Sequence, residues 1–273
     1  MNVAVIGAGY VGLVSAAGLA ALGHRVRVGE SNQERVVQLQ SGKVPIYEQS
    51  LDDLVAGGRA SGLLSFHGSN KQSVTGADLI FLCLPTPSGA DGRADLSCID
   101  GVIDELALVV PPSARFVVKS TVPPGSVVSI QKRLANLGSE AGIVSHPEFL
   151  REGSAVRDFM NPDRIVVGAF SMDDADAVLN LYGELSSKVV RTDPTSAEMI
   201  KYASNSYLAT RLTFANALAN LCEAVGADIV DVLQGVGLDH RIGPHFLKPG
   251  PGYGGSCFPK DTQALIGVAE DAG

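Results

Sequence analysis

The chain has 273 residues, enough for one large domain or two smaller ones. Apolar residues make up 45%, glycine fills 31 positions and Trp none, a balance that suits helices packed closely on a parallel sheet. A net charge of -8 argues against a nucleic-acid surface, and any anion must be met by local cations or helix N-termini.

In chain order, apolar runs at 2–6, 25–29, 63–67, 79–84, 115–119, 142–145, 164–167 and 188–191 read as strands. Most are apolar almost without interruption, as in strands covered on both faces. Helical patterns fall at 11–22, 33–40, 99–109, 126–137 and 173–185. This alternation builds an α/β fold, a Rossmann-like doubly wound parallel sheet. It stops after Arg191, where Asp193 and Pro194 mark a turn and Thr195-x-x-Glu198 reads as a capping box. A helix of roughly 30 residues, about 45 Å long, then runs to Val225 and is stopped by Gly226. Ile200, Tyr207, Leu208, Leu212, Phe214, Leu218 and Leu221 put apolar groups on several of its sides. Such a helix needs two sets of partners, the sheet domain and a second subunit. A short helix at 229–233, a Gly- and Pro-rich loop at 235–259 and a last helix from near Lys260 complete an all-α dimerisation domain. The expected division is 1–193 and 194–273.

Cys83, Cys98, Cys222 and Cys257 show no CxxC and no metal-ligand spacing. No metal is expected, and reduced thiols of a cytoplasmic protein are the simple reading. A strand pattern follows Met1 at once, so no signal peptide is expected, and no apolar run approaches the ~18 residues of a membrane span.

Gly7-Ala8-Gly9-Tyr10-Val11-Gly12 is G-x-G-x-x-G between a strand and a helix. Gly7 permits the tight turn, Gly9 admits a pyrophosphate to the backbone, and Gly12 lets helix and strand pack closely. Glu30 ends the second strand, where a carboxylate accepts from ribose hydroxyls and repels a 2′-phosphate. NAD is therefore favoured over NADP. FAD is the competing ligand, and a glycine turn without a ligand is the plain alternative.

Cys257 lies between Gly254-Gly255 and Lys260-Asp261, beside a helix start. The setting suits a nucleophilic thiol, although a lone loop cysteine is more often inert. Lys201 and Asn205 stand four apart on the long helix and share a face. Such a pair can hold an oxyanion or simply be a solvated face. Glu148 and Glu152 follow an apolar strand at the carboxyl end of the sheet, where either can act as a general base or belong to an ordinary acidic loop.

Residues 7–12, Val44-Pro45-Ile46-Tyr47-Glu48, Pro85-Thr86-Pro87, 119–125, 147–153, 196–205, Arg241-Ile242-Gly243 and 249–261 recur in the order of one family. Over essentially its whole length the chain resembles the UDP-glucose/GDP-mannose dehydrogenases. That family oxidises a sugar alcohol to an acid with two NAD in succession. The resemblance implies Cys257 as nucleophile, capturing an aldehyde as a thiohemiacetal that becomes a thioester. It implies Lys201 and Asn205 as oxyanion stabilisers, Glu148 in thioester hydrolysis, and Thr121 and Asp261 as holders of a water. NAD would meet Gly7, Gly9, Tyr10, Val11, Gly12, Glu30, Arg35, Thr86, Thr121, Glu152 and Lys260. The nucleotide sugar would meet Phe149, Leu150, Arg151, Glu152, Lys201, Asn205, Phe246, Leu247, Lys248, Tyr253 and Gly254. Arg241 would reach across a homodimer interface built on the long helix.

The cysteine loop, with Phe258 after Cys257, looks like the UDP-glucose branch, with GDP-mannose as the alternative sugar. His146 stands where the family usually has Asn, with little change expected. The third domain of family members is expected to be missing, with NAD binding retained and nucleotide-sugar affinity reduced. Two readings of other kinds stay open. One is a single-step hydroxyacid dehydrogenase of the 6-phosphogluconate type, which needs no cysteine. The other is a non-catalytic NAD-binding dimerisation fragment.

Overall fold

The structure is a computed structural model describing residues 1–183, 185 and 187–273. It divides into two compact units: Met1–Thr86 with Asp95–Met199, and Pro87–Ala94 with Ile200–Gly273. The second unit thus begins inside the long helix and also takes in a short segment from earlier in the chain.

In the first unit, β1 (Asn2–Ile6), β2 (Arg25–Gly29), β3 (Leu64–His67), β4 (Leu79–Leu82), β5 (Arg115–Val118), β6 (Gly142–Ser145), β7 (Arg164–Gly168) and β8 (Lys188–Thr192) form one sheet. Its order is β3-β2-β1-β4-β5-β6-β7-β8. The first six strands are parallel, with Val3 opposite both Val26 and Leu79. Strand order reverses between β1 and β4, the switch point outside which such sheets bind ligands.

The helices of this unit are α1 (Tyr10–Ala21), α2 (Gln33–Gln40), α3 (Leu51–Ala60), α4 (Asn70–Val74), α5 (Ser97–Leu106), α6 (Ser126–Asn136), α7 (Ala155–Met160) and α8 (Met172–Leu179). Side chains alternate across the strands and feed two cores. Val3, Val5, Val28 and Phe81 pack with Leu13, Val55 and Phe159. Ala4, Ile6, Ile80 and Leu82 pack with Ile103, Val127 and Ile130. Burial on both faces explains the nearly unbroken apolar runs.

One correction concerns strand direction. β7 meets β6 antiparallel through Ser145 and Gly168, and β8 runs parallel to β7. The sheet is therefore mixed at that edge, because apolar continuity reports cover on both faces and carries no sign of direction. A second concerns the start of the long helix α9 (Pro194–Val225). Asp193, not a Thr195–Glu198 box, accepts from Ser196 N at 2.9 Å. Glu198 instead accepts from Gly125 N at 2.6 Å and Val127 N at 2.8 Å, capping α6. The helix expected over 173–185 ends at Leu179, and its Glu184 lies outside the described residues.

In the second unit, α9 from Ile200 onward is joined by α10 (Ile229–Gly237) and α11 (Phe258–Ala272). Ala215, Leu233 and Leu247 form its buried centre with Leu218 and Ile229. Arg211 donates to the Ile242 and Gly243 carbonyls at 2.9 and 2.8 Å, holding the loop that follows α10. Tyr207, Phe214 and Leu221 recur every seventh residue of α9 and are all more than half exposed in the single chain. Among the described residues no helix is long and apolar enough to cross a membrane, and no three His, Cys, Asp or Glu side chains gather as a metal site.

Candidate active site

The turn after β1 is shaped by its glycines. Gly7 has φ +99°, its N–H donates to Gly29 O at 2.8 Å, and a Cβ there would lie 2.4 Å from Cys83 O. A Cβ on Gly12 would lie 1.9 Å from Gly7 O, so α1 approaches the turn as closely as a backbone can. Gly9 differs, because nothing lies within 4 Å of the place its Cβ would take. It N-caps α1 without a side-chain cap, leaving the first amides of α1 for an anion.

Glu30 is buried at the end of β2. It accepts from Ala8 N at 3.1 Å and Asn32 N at 2.8 Å, and Arg35 pairs with it at 3.3 Å. Ser31 Oγ stands 3.5 Å away, so all of the carboxylate's roughly four lone-pair sites have a donor, and the longest contacts, to Ser31 and Arg35, are the ones ribose hydroxyls would replace. Past β4 and β5, Thr86 donates to Thr121 O at 2.9 Å, joining two of the expected cofactor residues. A glycine cradle, a helix start and a buried acid fit a dinucleotide on their own chemistry.

The 147–153 loop follows β6. Glu148 is buried and accepts from Leu150 N at 2.6 Å. The Arg164 guanidinium lies 3.7 Å over the Phe149 ring, and burial pulls it below its ordinary pKa. Arg151 is engaged with Asp158 through its backbone N and Nε, each at 2.9 Å. Glu152 is exposed.

Behind this loop lies a polar cluster that pattern reading missed. His146 is buried, its Nδ1 2.7 Å from Val166 O and its Nε2 2.5 Å from Tyr182 OH and 3.1 Å from Lys119 Nζ. With a carbonyl at Nδ1, that nitrogen carries the proton and Nε2 accepts. Burial and the Lys119 charge hold His146 well below its ordinary pKa, so the ring is neutral.

In the second unit, Cys257 is exposed and N-caps α11, with Sγ 3.6 Å from Ser256 Oγ. One turn on, Asp261 has no exposed surface. It accepts from Asn205 Nδ2 and from Lys260 Nζ, each at 2.6 Å. Lys201 and Asn205 are both buried, which overturns the solvated-face reading. The rings of Phe246 and Tyr253 flank Phe258 at 6.4 and 6.1 Å.

Two of the expected pocket residues make contacts within their own chain. Leu247 is buried in the helical core, because it fills the space beside Ala215 and Leu233. Arg241 folds back on Asp239 of its own chain, Nη2 to Oδ2 2.6 Å, two residues being an easy reach for a guanidinium. Lys248 and Gly254 are exposed.

Residues 1–186 match the NAD binding domain of the UDP-glucose/GDP-mannose dehydrogenase family, and residues 195–273 match its central domain. The chain belongs to that family. It is 44% identical to a UDP-glucose 6-dehydrogenase of Rhizobium meliloti (strain 1021), an alignment covering 99% of this chain and 64% of the relative. A solved UDP-glucose dehydrogenase from the hyperthermophilic archaeon Pyrobaculum islandicum superposes with TM-score 0.95 at 40% identity, covering 99% and 64%. A GDP-mannose dehydrogenase from Pseudomonas aeruginosa superposes with TM-score 0.85 at 34% identity, covering 99% and 65%.

The chain thus spans less than two thirds of the length of these dehydrogenases. Membership of the UDP-glucose/GDP-mannose dehydrogenase family sets aside the hydroxyacid reading and makes NAD the cofactor. Glu48 was legible only as part of a family motif. No spacing signal marked it, because its carboxylate meets Tyr10, Gly153 and Ala155, all distant in sequence.

Proposed function

We propose that the protein oxidises the C6 alcohol of UDP-glucose to the acid, using NAD twice. The observation that carries this reading is the Asn205–Asp261–Lys260 cluster beside the helix-capping Cys257. It ties Asn205, one of the oxyanion candidates on α9, to the helix that presents the thiol. The names of the relatives support the sugar.

When bound, NAD supplies the hydride acceptor for both oxidations. Gly7, Gly9, Gly12 and Glu30 would hold its phosphates and ribose, with Arg35 orienting Glu30. Lys201 and Asn205 hold charge on the sugar oxygen as the alcohol becomes an aldehyde, its proton leaving through a water. The Cys257 sulfur adds to the aldehyde carbon, and the thiohemiacetal loses a second hydride to become a thioester. Glu148 takes a proton from the attacking water. The C–S bond breaks, the acid leaves and the thiol recovers its proton. Alcohol and water become acid, with two hydrides and two protons released. A covalent thioester keeps the aldehyde in place between the two oxidations.

The exposed Tyr207, Phe214 and Leu221 stripe supports a homodimer through α9, with Arg241 turning toward the partner's sugar. The test is NADH counted per UDP-glucose consumed, and two are expected. One NADH with free aldehyde trapped would remove the covalent step. Turnover of GDP-mannose but not UDP-glucose would overturn the sugar.

A further inference from the structure

Glu48 is a buried carboxylate to which the reaction above gives no task. It accepts three hydrogen bonds. Gly153 N donates to Oε2 at 2.9 Å, Ala155 N to Oε1 at 2.9 Å, and the Tyr10 hydroxyl also donates to Oε2. Burying a carboxylate is costly unless donors meet it, so these partners fix where it sits. Two of them end the 147–153 loop and begin α7. Ser154, the N-cap of α7, gives no side-chain cap, so Glu48 supplies it from more than a hundred residues away.

The third donor belongs to the cofactor turn. Tyr10 is the first residue of α1, directly after Gly9. Its hydroxyl also lies 3.3 Å from Arg151 O, in the middle of the loop. Burial, then the Glu48 carboxylate, push the phenol well above its ordinary pKa, which keeps its proton for donation. α1 and α7 are locked further along, where a Cβ on Gly18 would lie 2.3 Å from the Phe159 ring. The loop bearing Glu148 and Glu152 is thus fastened to the helix whose start faces the dinucleotide phosphates.

We propose that Tyr10 and Glu48 form a latch that positions the 147–153 loop and makes its order depend on the dinucleotide turn. Glu48 is a positioning residue, acting through the loop. A ligand that fixes the main chain at Gly9 and Tyr10 fixes the phenol, the phenol orients Glu48, and Glu48 holds Gly153 and Ala155. The coupling rests on the NAD reading above; the positioning does not.

The experiment is hydrogen exchange by mass spectrometry on the whole chain: the unaltered protein, Tyr10→Phe and Glu48→Gln, each without NAD and at NAD saturating for that protein. Calorimetry establishes binding separately. Without NAD, Glu48→Gln should exchange about tenfold faster in peptides spanning 148–156, the scale of losing a charge-assisted hydrogen bond, with β1 and β5 unchanged. NAD should slow those peptides in the unaltered protein, and Tyr10→Phe should lose that slowing. Equal slowing in Tyr10→Phe, or none in the unaltered protein that binds NAD, overturns the coupling. Unchanged exchange in Glu48→Gln overturns the positioning. Absence of NAD binding by calorimetry counts against the functional reading alone, because the comparison without NAD still decides the role of Glu48. If Glu48→Gln does not fold, faster exchange of 148–156 in Tyr10→Phe supports the latch, and unchanged exchange overturns it.

Discussion

Asn205 donates to Asp261 across 2.6 Å, joining α9 to α11 one turn beyond Cys257. The same carboxylate accepts from Lys260 at 2.6 Å. Asp261→Ala leaves a buried amide and a partly buried ammonium without this acceptor. The expected loss is about 2–4 kcal/mol in chemical denaturation. Asp261→Asn keeps one acceptor oxygen and should lose less, about 1–2 kcal/mol. Equal losses in the two variants would show that packing, not hydrogen bonding, accounts for the cluster.

The glycines of the turn separate fold from ligand. Gly12→Ala drives a methyl into Gly7 O and should cost about 3 kcal/mol or more, read in the thermal midpoint. Gly9→Ala meets nothing within 4 Å and should leave stability within about 1 kcal/mol. Its methyl points into open space at the start of α1, so NAD affinity should fall at least about tenfold by calorimetry. Undiminished affinity in Gly9→Ala would move the pyrophosphate away from this turn.

Cys257 is exposed at a helix start, so its thiol can be tested without disturbing a core. Cys257→Ser should retain the thermal midpoint within about 0.5 kcal/mol, as exposed positions do. On the proposed function, turnover of UDP-glucose to the acid should fall about a thousandfold or more, the scale of losing a covalent nucleophile. Full turnover to the acid in the variant would show that the aldehyde is oxidised without a covalent bond to Cys257.

The centre of the sheet was legible because its strands are buried on both faces: Val3 and Val5 serve one core, Ala4 and Ile6 the other. Helix α3 was not, since its Leu-Asp-Asp-Leu-Val-Ala-Gly-Gly stretch carries two adjacent glycines that weaken the helical signal. α4 and α7 span five and six residues, too short for a period to show. Cys257, Lys201, Asn205 and Asp261 were each visible as residue types in suggestive settings. The link between Asn205 and Asp261 was not, because it is made by tertiary packing across 56 positions. The same holds for Glu48, whose loop partners stand 105 and 107 positions away.

Two buried groups of the first unit give opposite responses to pH. Burial pushes Glu198 up to about 7 from its ordinary 4.5, against the hydrogen bonds from Val127 and Gly125. Its folded form therefore holds a proton that the unfolded chain has lost. That contribution is full below about pH 4.5 and disappears as pH rises through about 7, with a ceiling on the order of 3 kcal/mol. His146 acts the other way. Held neutral by burial and Lys119, it stays unprotonated while the unfolded imidazole charges below about pH 6.5, so stability is lost as pH falls. Between about 4.5 and 6.5 the two slopes oppose, each near one proton. Relative to the unaltered protein, Glu198→Gln should lose stability as pH falls from 7.5 to 5, and His146→Gln should gain it. Thermal midpoints at both pH values measure the difference. Parallel profiles for all three proteins would mean that neither group titrates differently on folding, and both assignments would fall together.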